Sequence, residues 1–176
     1  MDELRLPLEI DGFELREFRE ADVVRLSALA NDYEIWRRVT DLFPRPYDRE
    51  AGLRWVLRQA ESDPPQNLAI AGPDGLVGGV GVMISEIPNF RHDGEIGYWL
   101  GRPYWGRGLT SAAVKAFCAW AVPVHQLVRF TARVYEGNER SINVLRACGF
   151  EEEGLLHNAV KKEGNLLDLY IYGLVP

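Results

Sequence analysis

The sequence predicts a mixed α/β fold in which a sheet is flanked by helices. Three observations carry this prediction: the length of 176 residues, the 47% of residues that are hydrophobic, and the irregular order of strand-like and helix-like segments. That order is a strand, helices, three strands, a helix, a strand, a helix and two strands, which matches neither a doubly wound sheet nor a TIM barrel. No linker, repeat or low-complexity tract divides the chain, so we expect residues 1–176 to form one domain.

The N-terminal part combines one predicted strand with helices. Residues 13–18 alternate apolar and charged side chains, which is typical of a half-buried strand. Apolar residues recur at helical spacing in residues 21–30 and 48–61, and residues 33–39 are compatible with a short helix. Two prolines in residues 40–47 predict a loop there.

The rest of the chain is punctuated by turn residues. Pro64-Pro65 ends the preceding helix, Gly-Pro-Asp-Gly at residues 72–75 is a turn sequence, and Gly149 is a favourable residue after a helix end. The predicted elements are strands over residues 67–71, 76–85 and 95–100, a helix over 106–121, a strand over 127–135, a helix over 138–148, and strands over 151–160 and 166–175.

Composition excludes several function classes. The net charge of −6 argues against a nucleic-acid partner, because such binding depends on neutralising phosphates with basic residues. The longest apolar stretch, residues 76–84, is far shorter than the roughly 20 residues of a membrane helix. Residues 1–5 lack the features of a signal peptide, so we expect a cytoplasmic protein with Cys118 and Cys148 as reduced core thiols. The three histidines are scattered, and no metal site is predicted.

Residues 104–110, with the sequence Tyr-Trp-Gly-Arg-Gly-Leu-Thr, carry the strongest chemical signal. They lie between a predicted strand and a predicted helix, where glycines permit close approach and free helix N–H groups favour an anion such as a pyrophosphate. A Walker A loop is rejected because Arg107-Gly108 replaces its Lys-Ser/Thr. A dinucleotide fingerprint is rejected because Ser111 replaces its last glycine and no βαβ unit with a ribose-binding acid follows.

The same segment resembles the acetyl-CoA loop of the GNAT superfamily, whose pattern is Q/R-x-x-G-x-G/A. Gly106 and Gly108 match both glycines, whereas Pro103 replaces the first Gln or Arg. Residues 95–111, 138–150 and 154–168 are similar to the RimJ/RimL-like branch of ribosomal-protein N-terminal acetyltransferases and their relatives. This resemblance, which covers the chain from about residue 13 to the end, implies the GNAT fold with a central mixed, mostly antiparallel sheet. It also implies an N-acetyltransferase that uses acetyl-CoA and requires no metal.

The resemblance assigns cofactor contacts to three places. It implies that the backbone of Trp99 and Leu100 meets the pantetheine arm, that Asn138 hydrogen-bonds the pantetheine, and that Ser141 lies near the thioester sulfur. The cofactor contacts implied in the loop are Trp105, Gly106, Arg107, Gly108, Leu109 and Thr110. A structural N-cap is the alternative role for Asn138.

Glu95 is the candidate general base. Strand alternation places Glu95, Gly97 and Trp99 on one face, where a carboxylate could take a proton from an incoming ammonium, directly or through water. The alternative is an ion pair at the strand end, and Glu86 is the second candidate base. Ser141 is the candidate acid for the leaving thiolate.

The acceptor is expected to be a primary amine, in the first place a protein N terminus. Four aromatic residues lie in the loop-rich parts that form the acceptor cleft in relatives: Trp36, Phe43, Tyr47 and Phe90. Core packing is the alternative role for each of them. A small-molecule amine as acceptor, a catalytically silent acyl-CoA-binding module and a homodimer remain open alternatives.

Overall fold

A computed structural model describes residues 4–176 of the chain. In this range the strands are β1 Arg5–Pro7, β2 Glu14–Arg16, β3 Asn67–Gly72, β4 Gly75–Ile84, β5 Asp93–Leu100, β6 Arg129–Tyr135, β7 Glu151–Lys162 and β8 Asn165–Leu174. The α-helices are α1 Val23–Ala30, α2 Tyr33–Trp36, α3 Arg49–Gln59, α4 Leu109–His125 and α5 Glu139–Ala147. Short 3₁₀ turns cover Glu20–Asp22, Pro88–Phe90 and Arg102–Tyr104.

Eight strands of the described range form one sheet in the order β1-β2-β3-β4-β5-β6-β8-β7. Every neighbouring pair is antiparallel apart from β5 and β6, which run parallel. Because parallel neighbours need a crossover, α4 carries the chain from the end of β5 to the start of β6. The mixed, mostly antiparallel sheet that the resemblance implied is confirmed.

Most predicted elements are present with shifted ends. Gly108 has a left-handed φ of 74°, so α4 begins at Leu109 instead of residue 106, and it continues through Pro123 to His125. Strand β2 is shorter than the predicted residues 13–18, and β1 was not predicted because its three residues show no readable alternation. No helix within residues 4–176 has the length and apolar character to cross a bilayer.

The sheet separates two apolar clusters. One lies between the sheet and helices α4 and α5, and it contains Phe117, Phe130 and Tyr172, all with 0% exposure. The other lies beneath α1 and α3 and includes Leu26 and Leu76. Strand β5 therefore presents its even-numbered residues, such as Ile96 and Leu100, to α4 and α5, and its odd-numbered residues to the opposite side.

Candidate active site

Strands β5 and β6 separate in the middle of the sheet. Their pairing in the described chain stops after three register pairs, the last of which joins Glu95 to Thr131. Both strands continue beyond that point, β5 to Leu100 and β6 to Tyr135. The result is a wedge-shaped gap at the C-terminal ends of the two strands, where backbone groups lack a neighbouring strand.

The backbone groups that face this gap follow from the strand register. The N–H of Gly101 donates to the carbonyl of Val77 on β4 at 2.8 Å, so alternation turns the backbone of Trp99 toward β4 as well. The groups of Ile96 and Tyr98 then face the gap. The Leu100 carbonyl also faces it, but it accepts a hydrogen bond from Trp105 Nε1 at 2.7 Å.

The expected pantetheine contacts of Trp99 and Leu100 remain predictions. The Trp99 backbone pairs with Gly79 of β4, whereas the Leu100 backbone faces the gap with its carbonyl bonded to Trp105. Ile96 and Tyr98 also turn their backbone groups toward the gap. Sequence alone missed them because the edge that each backbone group faces is set by pairing with β4 and not by the residue's own side chain.

The loop after β5 exposes a row of backbone donors. Gly106 and Gly108 have φ values of 75° and 74°, and Gly108 directly precedes α4. Within residues 4–176, none of the backbone N–H groups of residues 106–111 has an acceptor. A Cβ added at Gly106 would meet nothing within 4 Å, and one at Gly108 would meet only Ile10 at 3.9 Å. Open donors at the positive end of a helix dipole form a site for an anion.

Side chains of the loop anchor it to the rest of the fold. Trp105 is tied to the end of β5 through its indole N–H, and the Arg140 guanidinium lies 4.5 Å from the centre of its ring. The Tyr104 hydroxyl accepts a hydrogen bond from Arg25 of α1, and Arg107 lies 5.7 Å from the Tyr104 ring centre. These contacts hold the backbone donors in place.

Two further loop residues predicted to contact the cofactor differ in their exposure. Leu109 is buried with 1% exposure and anchors the start of α4, so only its backbone is available to a ligand. Thr110 is half-buried in the first turn of the same helix.

A positively charged pocket of about 460 Å³ opens beside Trp105. Its other lining residues are Glu34, Arg38, Arg102 and Arg140. Arg38 pairs with Glu34 at 2.7 Å and Arg102 with Asp32 at 3.0 Å, whereas Arg140 has no carboxylate partner in the described part of the chain. The excess of arginine favours an anionic group at this place.

The start of α5 lies across the gap from β5. Asn138 Oδ1 accepts a hydrogen bond from the Ser141 N–H at 3.4 Å, which is the capping role considered as an alternative, and within residues 4–176 its Nδ2 amide has no partner. The Ser141 Oγ lies 2.8 Å from the hydroxyl of Tyr98. Burial raises the pKa of the Tyr98 phenol, so this hydroxyl keeps its proton.

The opposite face of β5 carries the candidate base. Glu95 Oε2 lies 3.4 Å from Arg133 Nε on β6, so the ion pair considered as the alternative role is present. Gly97 is exposed, and a Cβ there would meet nothing within 4 Å. Trp99 lies on the same face beyond Gly97, and its ring centre is 6.1 Å from that of Phe43. The catalytic role of Glu95 remains a prediction, and Glu86 is exposed in the connection between β4 and β5.

The predicted acceptor residues differ in what surrounds them. The Trp36 ring has Lys162 Nζ 3.7 Å and the Arg45 guanidinium 4.7 Å from its centre, so cations cover it. Phe43 contacts Trp99 and also Tyr47, at 4.8 Å between ring centres. Tyr47 is only 4% exposed, and burial raises its pKa to about 12. Direct acceptor contact is therefore not available to Tyr47, which packs in the core beneath Phe43.

Phe90 is the most exposed of the predicted acceptor residues. It is 59% exposed in the short 3₁₀ turn between β4 and β5. No aromatic ring of the described chain pairs with it. The acceptor role of Phe90 therefore remains a prediction.

The tip of the β7–β8 hairpin is tied to the segment around α2. Lys162 Nζ donates to the Val39 carbonyl at 2.9 Å and to Asp41 Oδ1 at 2.5 Å. The Tyr33 hydroxyl donates to Glu163 at 2.8 Å. We call these contacts of residues 33–41 with residues 162–163 the latch. Burial raises the pKa of Tyr135, and the charges of Asp41 in the latch and of Glu95 raise it further, so both carboxylates act on the same tyrosine.

The cysteines fit their expected place in the core. Cys118 is buried, and burial raises its pKa to about 12, while Cys148 is half-buried with its pKa raised for the same reason. Within residues 4–176, no three His, Cys, Asp or Glu side chains are grouped so that they could hold a metal ion.

Comparisons with known proteins agree with this geometry. The family model described as an acetyltransferase (GNAT) domain matches residues 13–151. The N-acetyltransferase p20 of Bacillus licheniformis, itself uncharacterized, is 34% identical over 109 residues, which span 62% of this chain and 60% of that protein. The chain thus aligns with less than two thirds of this relative's length.

Solved structures share the fold over nearly the whole chain. RimL, a ribosomal L7/L12 alpha-N-protein acetyltransferase in complex with coenzyme A, superposes with a TM-score of 0.84 at 21% identity, covering 98% of each chain. The ribosomal-protein-S5-alanine acetyltransferase of Vibrio fischeri gives a TM-score of 0.81 at 21% identity, covering 98% of this chain and 96% of that one. At such identities the likeness establishes the fold.

Proposed function

The chain belongs to the GNAT acetyltransferase family, and from this premise we propose that it acetylates the N-terminal amino group of a protein. Members of this family transfer the acetyl group of acetyl-CoA to an amine. The observation that carries the proposal is the gap between β5 and β6, with anion-binding donors at its mouth and Glu95 and Gly97 on its far side.

The residues around the gap fit acetyl-CoA. The N–H groups of residues 106–111 suit the pyrophosphate, and Arg140, which has no carboxylate partner within residues 4–176, adds a positive charge beside them. The backbone groups of Ile96 and Tyr98 suit the amides of the pantetheine arm, because an extended chain with amides can bond to a free strand edge. The Asn138 side-chain amide, whose Nδ2 has no partner among the described residues, can hydrogen-bond the same arm from the other side of the gap.

The proposed chemistry is direct transfer. When bound, acetyl-CoA supplies a thioester with an electrophilic carbonyl carbon and a thiol leaving group. Glu95 accepts the proton of the incoming ammonium, directly or through water, because a protonated amine has no lone pair for attack. Arg133 holds the Glu95 carboxylate in place. A backbone N–H at the open edge of β5 stabilises the oxyanion, and Ser141 faces the leaving sulfur.

The acceptor class is inferred from the latch and from what the relatives are named for. Lys162 and Glu163 join the hairpin tip to residues 33–41. We infer that this latch spans the side of the sheet on which the acceptor reaches Glu95. A flexible chain end can pass such a bridge, whereas a side chain on a folded surface cannot. Two structures with this fold are named as N-terminal or alanine acetyltransferases of ribosomal proteins, which supports the same class.

A thiol-release assay with acetyl-CoA tests the proposal. The acceptors are short peptides with free N termini, the same peptides with a formylated N terminus and one internal lysine, and a panel of polyamines and amino acids. We expect turnover of the free peptides alone. Turnover restricted to the small amines would assign the enzyme to small-molecule acetylation, and acetyl-CoA binding without any turnover would indicate a silent acyl-CoA-binding module.

A further inference from the structure

Tyr98 links the two sides of the gap through its hydroxyl. The residue belongs to β5, and its ring packs against the cluster beneath α4 and α5. Its hydroxyl lies 2.8 Å from Ser141 Oγ and 3.3 Å from the Ser141 carbonyl oxygen. Within residues 4–176, the Ser141 Oγ has no other hydrogen-bond partner.

The direction of the short hydrogen bond decides what Ser141 can do. If Tyr98 donates to Ser141 Oγ, the short bond is formed and the serine keeps its own O–H free. If Ser141 donates to Tyr98, the serine proton is used, and the tyrosine proton has only the longer contact to the carbonyl. A phenol is a better donor than an alcohol, and an alcohol oxygen is the better acceptor, so the first arrangement is favoured.

We propose that Tyr98 is a positioning residue that donates to Ser141 Oγ and so directs the Ser141 O–H toward the sulfur of the leaving thiolate. The inference rests on the proposed acetyl transfer. In that step the amine nitrogen forms a bond to the carbonyl carbon, the carbon–sulfur bond breaks, and its electron pair goes to sulfur. The proton lost by nitrogen goes to the base, and the thiolate later takes a proton from solvent. Ser141 and Tyr98 keep their protons throughout.

The surroundings of Tyr98 favour such a fixed donor over a proton shuttle. Burial raises its pKa, and the groups that face it are the thiols of Cys118 on α4 and Cys148 at the end of α5. Burial raises the pKa of both thiols as well, which disfavours a thiolate charge beside the Tyr98 hydroxyl. Lys115 is the charged neighbour of Cys148. The Tyr98 hydroxyl therefore remains a donor over the pH range in which the thiol of coenzyme A ionises.

A binding experiment tests the inference without any acceptor. Coenzyme A and S-methyl-coenzyme A, which lacks an ionisable thiol, are titrated calorimetrically into the protein between about pH 7 and pH 9.5. This range lies on both sides of the cysteine thiol pKa of about 8.5, which serves as the analogue for coenzyme A. If Ser141 stabilises the thiolate, coenzyme A gains about tenfold in affinity relative to the S-methyl analogue as pH rises. We expect this gain to disappear in both Tyr98→Phe and Ser141→Ala.

Steady-state kinetics provide the second measurement. Tyr98→Phe and Ser141→Ala should each lower kcat by about tenfold with little change in KM for acetyl-CoA, and the double variant should be no slower than either one. Ser141→Thr keeps the hydroxyl and should restore the rate and the pH-dependent gain. Tyr172→Phe is the matched control, because this buried tyrosine donates to Glu152 outside the site and should change only the melting temperature.

The contrary outcomes are distinct. A pH-dependent gain that persists in Tyr98→Phe, or rate losses that multiply in the double variant, would show that Tyr98 does not act through Ser141. A folded Tyr98→Phe that loses stability but keeps the gain and the rate would assign it a packing role. If wild-type protein binds coenzyme A with the gain but turns over no peptide, the proposed acceptor fails while the inference on Tyr98 stands.

Discussion

Glu95 lies between an ion pair and open space. Its carboxylate pairs with Arg133, and two residues further along the same face Gly97 leaves open space. The side chains of this pair are 30% and 56% exposed, so the pair itself adds only about 0–1 kcal/mol to stability. A weak ion pair beside open space fits the role of a general base better than that of a stabilising ion pair.

Glu95→Gln should therefore slow acetyl transfer while leaving the fold nearly unchanged. A positioned base contributes about 10²–10⁴-fold, and the loss should be greatest at low pH, where the acceptor amine is mostly protonated. The measurement is kcat against pH with a verified acceptor, together with melting curves. Glu86→Gln serves as the matched control on the exposed connection. If that variant is the slow one, the base is Glu86, and if neither is slow, water relayed by the backbone performs the task.

At the scale of elements, the helix after the glycine loop shows what local sequence can and cannot predict. The glycine loop and the helix after it are predictable from residues 104–121, because turn and helix signals act over a few residues. The start of α4 at Leu109 depends on the left-handed Gly108, whose dihedral the sequence permits but does not require. Similarly, the cap at Asn138 is the alternative role that the sequence offers, whereas nothing in the sequence indicates the Tyr98 contact across the gap.

The contacts that sequence reasoning missed share one physical cause. Tyr98 and Ser141 are 43 residues apart, and the latch joins residues more than 120 positions apart. Such pairs are fixed by sheet register and by the path of loops, which leave no periodic signal in the chain. The burial of Tyr47 against Phe43, its alternative role, has the same cause, because it is a property of the folded segment.

Gly108→Val should abolish most acetyl-CoA binding. A β-branched residue at a φ of 74° costs about 1–2 kcal/mol, and its side chain would occupy the open side of the donor row. Calorimetric titration should show a loss of affinity well beyond tenfold. Gly164→Val is the matched control: Gly164 also has a positive φ, of 82°, with nothing within 4 Å of an added Cβ, but it lies in the hairpin turn. Equal affinity in both variants would mean that the Gly108 loop is only a turn.

At the scale of the whole molecule, the gap divides the sheet into two parts. Strands β1 to β5 form one antiparallel part, and β6, β8 and β7 form the other, with only three register pairs of β5 and β6 joining them. Helices α4 and α5 pack across the junction on one side, and the latch ties the outer hairpin to α2 on the other. A ligand that bonds to both edges of the gap would replace the missing strand pairing.

Acetyl-CoA should consequently stabilise the entire fold and not only the loop. At a concentration 100 times its dissociation constant, a ligand that binds only the folded state adds about 2.7 kcal/mol. For a chain of 176 residues this corresponds to a rise of roughly 5–10 °C in melting temperature. Thermal melts with acetyl-CoA, ATP and NADH at equal concentrations measure it, and Gly108→Val should lose the shift. A larger shift with ATP, or none with acetyl-CoA, would contradict the donor assignment, because the residues that line both edges of the gap would then recognise something other than a pantetheine arm.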